Sequence, residues 1–106
     1  MSTYRFPEGV ALVFGGSGGL GTGIVELLSQ SGTDVAFTYL NNKEAAQANI
    51  AKVEANGQKA TATSVDLLDL ARVEEFVNSA KKEFGRIHSV VFATGPFLNI
   101  LPLMDA

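Results

Sequence analysis

Residues 12–28, LVFGGSGGLGTGIVELL, join an apolar run to an amphipathic run through a segment rich in glycine. Six of the eleven glycines of the chain lie between Gly15 and Gly23. Glycine loses more conformational entropy on folding than any other residue, so this concentration needs a compensating contact. The stretch therefore predicts a place where a ligand or a neighbouring element comes close to the backbone.

The residues on either side of these glycines predict a strand, a loop and a helix. Residues 10–14 form a short, continuous apolar run, which is typical of a strand buried on both faces of a parallel sheet. The loop follows at Gly15, and apolar residues at helical spacing then lead to a stop at Gly32. The residues of this predicted helical stripe are Leu20, Ile24, Leu27, Leu28 and Ser31.

The rest of the chain repeats this alternation of strand and helix. Predicted strands cover residues 34–39, 59–67 and 87–93, and predicted helices cover residues 43–55 and 70–84. The predicted helix caps are Asn41 or Asn42 and Asp69, and the predicted stops are Asn56-Gly57 and Gly85. The predicted buried faces consist of Ala46, Ile50 and Val53 in one helix and of Leu70, Val73, Phe76, Val77, Ala80 and Phe84 in the other.

Strands that alternate with helices in this way predict an α/β fold. The rules of chain connection favour a Rossmann-type, doubly wound parallel sheet with helices on both faces and the strand order 3-2-1-4. Such a sheet binds its ligand at the switch point, here between the first and fourth strands. The two glycine-bearing turns, residues 15–21 and 94–95, are both predicted to lie at that point.

The composition excludes several classes of protein. The chain has 106 residues, of which 46% are hydrophobic and 18% charged, as in one folded domain with a modest core. Its net charge of −3 argues against nucleic acid and anionic membranes as partners. The absence of cysteine favours a reducing, cytoplasmic location, and no spacing of histidine and acidic residues predicts a metal site.

The glycine segment fits a loop that binds phosphate. GSGGLG at residues 16–21 matches G-x-G-x-x-G, between a predicted strand and a helix N-terminus whose N–H groups and dipole can receive a pyrophosphate. A nucleoside triphosphate loop is disfavoured, because Lys-Ser/Thr does not follow Gly21. The alternative is a turn that only packs the helix against the sheet. We favour a dinucleotide site.

With these motifs in this order, the whole chain resembles the N-terminal half of a short-chain dehydrogenase/reductase. The family pattern T-G-x-x-x-G-x-G falls on residues 14–21, with Phe14 in place of the threonine. The family's aspartate after the third strand falls on Asp66, and the resemblance implies that this carboxylate accepts a hydrogen bond from the adenine amino group. The family's N-N-A-G falls on residues 92–95, FATG, so the threonine and asparagines that tie the two loops together in that family are replaced.

The loop and the resemblance together predict a set of cofactor-binding residues. They are Gly15, Ser17, Gly18, Gly19, Leu20, Gly21, Tyr39, Asn41, Asn42, Asp66, Leu67, Ala93, Thr94 and Gly95. No catalytic residue is predicted within these 106 residues, because the resemblance places the family's serine, tyrosine and lysine further along a longer chain.

The end of the second predicted strand favours NADP over NAD. An NAD site uses an acidic residue there to bind the ribose 2′-OH, whereas the nearest acid, Asp34, lies at the opposite end of the strand. Residues 39–43, YLNNK, instead offer amide and ammonium donors to a 2′-phosphate. Two observations leave NAD open: the family's usual basic residues fall on Gly18 and Leu40, and the two asparagines could serve only as helix caps.

Three other features carry no predicted chemistry. Tyr39 and Lys43 spell the family's catalytic Y-x-x-x-K, but they lie at the adenosine end of the expected cofactor. His88, the only histidine, begins a predicted strand and is interpreted as structural or solvent-facing. The charged residues of the last predicted helix form a solvated face: Glu74, Glu75, Lys81, Lys82 and Glu83.

These observations predict the cofactor-binding part of an NADP(H)-dependent carbonyl reductase or alcohol dehydrogenase. The resemblance leans towards 3-oxoacyl-carrier-protein reductases, and it implies a small carbonyl or alcohol substrate and a homo-oligomer, dimer or tetramer, at full length. The alternative is a non-catalytic dinucleotide-binding module, or pseudo-enzyme, that acts through a partner.

The last residues predict that this segment needs further structure around it. Six of the eight residues 97–104 are apolar, and the fourth predicted strand would form an exposed, apolar sheet edge. With the resemblance, this implies that residues 1–106 are the N-terminal half of a longer single-domain enzyme. We expect the isolated segment to be inactive and to self-associate.

Overall fold

The apolar run at residues 10–14 forms the centre of a sheet. In the computed structural model, which describes residues 8–15, 19–93 and 99–102, β1 spans Val10–Phe14 and every one of its residues is buried. It pairs in parallel with β2, Asp34–Tyr39, on one side and with β4, Ile87–Phe92, on the other. A strand with neighbours on both edges and helices over both faces has no solvent-facing side, which explains the absence of polar alternation.

The other elements follow the predicted alternation. They are α1 at Gly19–Gln30, α2 at Lys43–Ala55, β3 at Ala60–Ser64, α3 at Leu70–Phe84 and β5 at Asn99–Pro102. The strands lie in the order β3-β2-β1-β4-β5, and the first four are mutually parallel. The predicted Rossmann-type fold and the order 3-2-1-4 are therefore confirmed.

Two core clusters, one on each face of the sheet, hold the helices. Successive residues of a strand point to opposite faces, so Val13 packs beneath α1 and α2 while Leu12 and Phe14 pack beneath α3. The first cluster contains Val13, Val25, Val35, Phe37, Ala46, Val53, Ala60 and Val91. The second contains Val10, Leu12, Phe14, Ala36, Val65, Phe76 and Ala80. Both faces of the sheet are thus covered, as predicted.

The predicted caps set the bounds of two helices. Asn42 caps α2 by accepting a hydrogen bond from the Ala45 N–H through Oδ1, over 3.0 Å. Asp69 caps α3 in the same way, and Gly85 ends that helix in the left-handed region, with φ of +84°. The third and fourth strands are shorter than the predicted ranges 59–67 and 87–93, because pairing stops at Ser64 and Phe92.

The predicted buried face of α1 is wrong in part. Leu27 is 62% exposed and Ser31 is also exposed, whereas Val25 and Ser29 are buried. Hydrogen bonds from Asn49 and Asn56 to the hydroxyls of Thr22 and Ser29 turn the side of α1 that carries small and polar residues inward. In α3 the predicted face is wrong at Leu70, which is 78% exposed.

The prediction that the fourth strand forms a sheet edge is also wrong. β5 pairs antiparallel with β4, from Phe92 opposite Asn99 to Ser89 opposite Pro102. Part of the apolar segment 97–104 thus supplies hydrogen-bonding partners to β4, which removes the free edge on which the expected self-association partly depended.

Candidate dinucleotide-binding site

The carboxyl ends of the parallel strands meet at one edge of the sheet. The chain leaves β1 for β2 on one side, while β4 lies on the other side with Phe92 in register with Phe14. This is the topological switch point at which open parallel sheets bind ligands in a crevice.

Gly15 begins the glycine segment at this point. Its φ of +89° lies in the left-handed region, which glycine adopts without the steric penalty of a Cβ. Its N–H donates to the Thr38 hydroxyl over 3.0 Å, so the start of the loop is attached to the end of β2. α1 then begins at Gly19, four residues further along the chain.

The ends of β1 and β4 are joined by a backbone hydrogen bond and by stacked rings. The Ala93 N–H donates to the Phe14 carbonyl over 2.9 Å. The rings of Phe14 and Phe92 stack with centroids 4.9 Å apart and an interplanar angle of 11°. Phe76 of α3 meets the Phe14 ring edge-on at 5.5 Å. The junction beneath the site is therefore apolar and aromatic.

The end of β2 presents hydrogen-bond donors and no carboxylate. Residues 40–43, LNNK, are all exposed. The cap uses only Oδ1 of Asn42, and its NH2 group remains able to donate to another partner. Asp34 lies at the other end of β2, where it accepts from the Lys59 N–H over 2.9 Å, so it is remote from this edge.

The end of β3 presents a carboxylate. Asp66 is exposed, and its Oδ1 accepts from the Leu68 N–H over 2.9 Å, which fixes the turn that follows β3. An ionised carboxylate has further lone pairs on both oxygens, so Asp66 can still accept from a ligand. Leu67 packs against the core on the α3 face.

The switch point is thus formed by a strand, a glycine turn with positive φ and a helix. The family model of the short chain dehydrogenases matches residues 9–101. The chain belongs to the short-chain dehydrogenase family.

Curated relatives in this family are oxidoreductases. Hydroxynaphthalene reductase of Aspergillus fumigatus is 35% identical over 86 residues, which cover 81% of this chain and 32% of the relative. L-rhamnose 1-dehydrogenase (NAD(P)(+)) of a Sphingomonas species is 36% identical over 84 residues, which cover 79% of this chain and 33% of the relative. The chain thus spans about a third of the length of these relatives.

Solved structures show the same likeness. A short-chain dehydrogenase/reductase from Serratia marcescens is 35% identical, with a TM-score of 0.82, covering 89% of this chain and 38% of that one. A dehydrogenase from Burkholderia cenocepacia with bound NADP is 31% identical, with a TM-score of 0.78, over 86% and 36% of the two chains. A blue fluorescent protein from a metagenomic library, in complex with NADPH, is 38% identical, with a TM-score of 0.74, over 77% and 34%. Two of these structural neighbours therefore carry NADP or NADPH.

The predicted cofactor residues of this short-chain dehydrogenase fall into three groups. The carboxyl edge of the sheet brings together Gly15, Tyr39, Asn41, Asn42, Asp66, Leu67 and Ala93. Gly19, Leu20 and Gly21 lie in the first turn of α1. Ser17, Gly18, Thr94 and Gly95 lie outside the described residues.

Sequence reasoning missed Thr38, whose hydroxyl holds Gly15. Thr38 is 1% exposed and is the one buried hydroxyl-bearing residue of β2. A polar residue inside a buried strand needs a hydrogen-bonding partner, and this was the available signal. The identity of the partner could not be read from the sequence, because Gly15 lies 23 residues away in the chain.

Of the residues without predicted chemistry, Tyr39 and Lys43 lie at the carboxyl edge of the sheet and His88 lies at the amino edge. Tyr39 ends β2 and packs against the core beneath α1 and α2, while Lys43 begins α2. His88 is buried at the start of β4, with Nε2 2.7 Å from the Thr33 hydroxyl and Nδ1 3.0 Å from the Ser89 hydroxyl. Burial, and then the positive charge of Arg86, lower the pKa of His88 below its usual 6.5. His88 is thus a structural residue at the amino ends of the strands.

The described residues lack two further features. Within them, no group of three or more histidine, cysteine or acidic side chains is arranged to hold a metal ion. None of the helices in that part of the chain has the length and apolar character needed to cross a bilayer.

Proposed function

We propose that this chain forms the NADP(H)-binding part of an oxidoreductase that acts on a carbonyl or alcohol substrate. The observation that carries the cofactor preference is the end of β2, where exposed Asn41, Asn42 and Lys43 provide donors and residues 39–43 contain no acid. A carboxylate at this place would attract a ribose 2′-OH and repel a 2′-phosphate.

The remaining site fits the rest of the dinucleotide. The glycine turn and the N-terminus of α1 offer N–H groups and a positive dipole end to the pyrophosphate. Asp66 has free acceptor capacity for the adenine amino group, beside the half-buried side chain of Leu67. When bound, the nicotinamide supplies hydride transfer. The role of the described residues is to bind and orient the cofactor.

The substrate and the assembly of the whole protein belong to the same proposal. Two relatives are named for an aromatic substrate and a sugar, so their names support carbonyl and alcohol chemistry broadly. A 3-oxoacyl thioester is our candidate substrate, on sequence resemblance. We further propose that residues 1–106 are the N-terminal part of a longer single domain, in a cytoplasmic homo-oligomer without nucleic-acid or membrane partners.

The cofactor preference is tested by titrating the full-length protein with NADPH and NADH and following nicotinamide fluorescence. We expect tighter binding of NADPH. Asn41→Asp places a carboxylate at the end of β2 and should weaken NADPH binding by about tenfold while leaving NADH binding unchanged or tighter. The matched control is Asn78→Asp, which adds the same charge to the exposed face of α3 and should change neither affinity by more than about twofold. Equal affinities of the unaltered protein for the two cofactors would refute the NADP preference.

A non-catalytic binding module is the second candidate. It shares every role proposed for the described residues, because all of them bind or orient the cofactor. We expect residues 1–106 alone to bind NADPH without oxidising it in the presence of ketones or 3-oxoacyl thioesters. Oxidation by the full-length protein distinguishes the enzyme from the module.

A further inference from the structure

Thr38 carries a buried hydroxyl at the end of an apolar stretch of β2. Val35, Ala36 and Phe37 precede it and are all fully buried. Valine has nearly the same shape as threonine and favours strands at least as well, so burial alone does not account for the hydroxyl. Its Oγ1 accepts the Gly15 N–H over 3.0 Å.

The hydrogen bond lies where the backbone pairing of β1 and β2 stops. The last pair in that ladder is Val13 with Phe37. On the other side of β1, the pairing continues to Phe14 with Phe92, and the Ala93 N–H still bonds to the Phe14 carbonyl. On the β2 side, the Thr38 side chain takes over from the backbone and binds the first residue beyond β1.

Gly15 has the conformation that turns the chain out of the sheet. Its φ of +89° starts the glycine segment, and its N–H points to β2 as long as Thr38 accepts it. If Thr38 loses its hydroxyl, the partly buried N–H of Gly15 bonds instead to water or to another acceptor, and this hydrogen bond no longer ties Gly15 to β2.

We propose that Thr38 is a positioning residue for the cofactor: its hydroxyl fixes the orientation of Gly15, the first residue after β1, and so the affinity for the pyrophosphate. This inference rests on the proposed dinucleotide function. It predicts that the hydroxyl matters for the pyrophosphate and not for the adenosine end of the ligand, which binds at the ends of β2 and β3.

The test compares three substitutions in the full-length protein. Thr38→Val removes the acceptor and keeps the shape, Thr38→Ser keeps the acceptor and loses a methyl group, and Thr63→Val makes the same change at the residue of β3 that pairs with Thr38. We expect Thr38→Val to weaken the binding of both NADPH and NADH by about tenfold. The affinities of the other two variants should stay within about twofold of those of the unaltered protein. Adenosine 2′-monophosphate, which lacks the pyrophosphate, should bind all four proteins equally.

The outcomes separate the inference from the proposed function. If the unaltered protein binds neither NADPH nor NADH, the proposed function fails and the inference with it. If it binds them and Thr38→Val binds them equally well, only the inference is overturned. The same holds if Thr38→Val loses as much affinity for adenosine 2′-monophosphate as for the dinucleotides. Should Thr38→Val not fold, Thr38→Cys replaces it, because a thiol has nearly the shape of the serine hydroxyl and is a weak acceptor. We then expect Thr38→Cys to bind NADPH several-fold more weakly than Thr38→Ser, and equal affinities would overturn the inference.

Discussion

At the scale of single residues, buried polar groups mark the two ends of the sheet. Thr38 holds the start of the glycine segment at the carboxyl edge, and the pair of His88 and Thr33 occupies the amino edge. Both are hydrogen bonds between a threonine hydroxyl and a residue far away in the chain, 23 residues away for Thr38 and 55 for Thr33. Because each is buried, losing a partner would leave a polar group without compensation.

The burial of His88 makes stability depend on pH. Its lowered pKa means that the folded state favours the neutral ring, while the unfolded chain takes up a proton near pH 6.5. The unfolded state therefore binds more protons below that pH, and the free energy of unfolding falls as the pH drops from above 6.5 through the folded-state pKa. Urea unfolding at pH 7.5 and pH 5.5 should show this loss.

The matched variant for this experiment is His88→Gln, whose amide cannot titrate and can still bond to the Thr33 hydroxyl. Its stability should fall less over the same interval, because the remaining dependence comes only from other groups. An identical pH dependence in both proteins would show that His88 does not contribute.

At the scale of elements, α1 and α2 meet through side-chain hydrogen bonds. Asn49 of α2 donates to the Thr22 hydroxyl of α1 over 3.1 Å, and Asn56 donates to the Ser29 hydroxyl over 2.9 Å. Asn49 is buried on the same face of α2 as Ala46 and Val53, two residues of the predicted apolar stripe, to which Asn49 did not belong. These two contacts fix the rotation of α1 about its axis, with Val25 inward and Leu27 outward.

Removing the first of these contacts should cost stability. Asn49→Ala leaves the Thr22 hydroxyl without this partner and should lower the free energy of unfolding by about 1–3 kcal/mol. Asn78→Ala, on the exposed face of α3, should change it by less than about 0.5 kcal/mol. Urea unfolding of both variants measures the difference. Equal stabilities would mean that the polar contact does not hold the two helices together.

The elements also show what a sequence can predict. The bounds of α2 follow from Asn42 before it and Asn56-Gly57 after it, because caps and stops act within a few residues. The exposure of Leu27 could not be predicted, since periodicity describes a helix and not the neighbour against which it rotates. The pairing of β5 with β4 could not be predicted either, because an apolar sequence does not specify the strand with which it pairs.

At the scale of the whole molecule, the order of the strands places the candidate site. Four parallel strands bring the predicted residues of the β1, β2, β3 and β4 ends to one edge, although they are scattered from Gly15 to Ala93 in the chain. The family and the strand order could be predicted because the order of strands, glycines and helices follows from local sequence patterns. The contact of Thr38 with Gly15 and the stacking of Phe14 on Phe92 could not, because they depend on packing between distant segments.

We propose above all that a nicotinamide dinucleotide binds at the carboxyl edge of this sheet. The most direct test is a two-dimensional NMR titration of the isotope-labelled full-length protein with NADPH. We expect the amide signals of Gly15, Asn41, Asp66 and Ala93 to shift together with one saturation curve, while those of Thr33 and His88 at the opposite edge stay in place. Shifts confined to the amino edge, or no shifts at saturating NADPH, would contradict it.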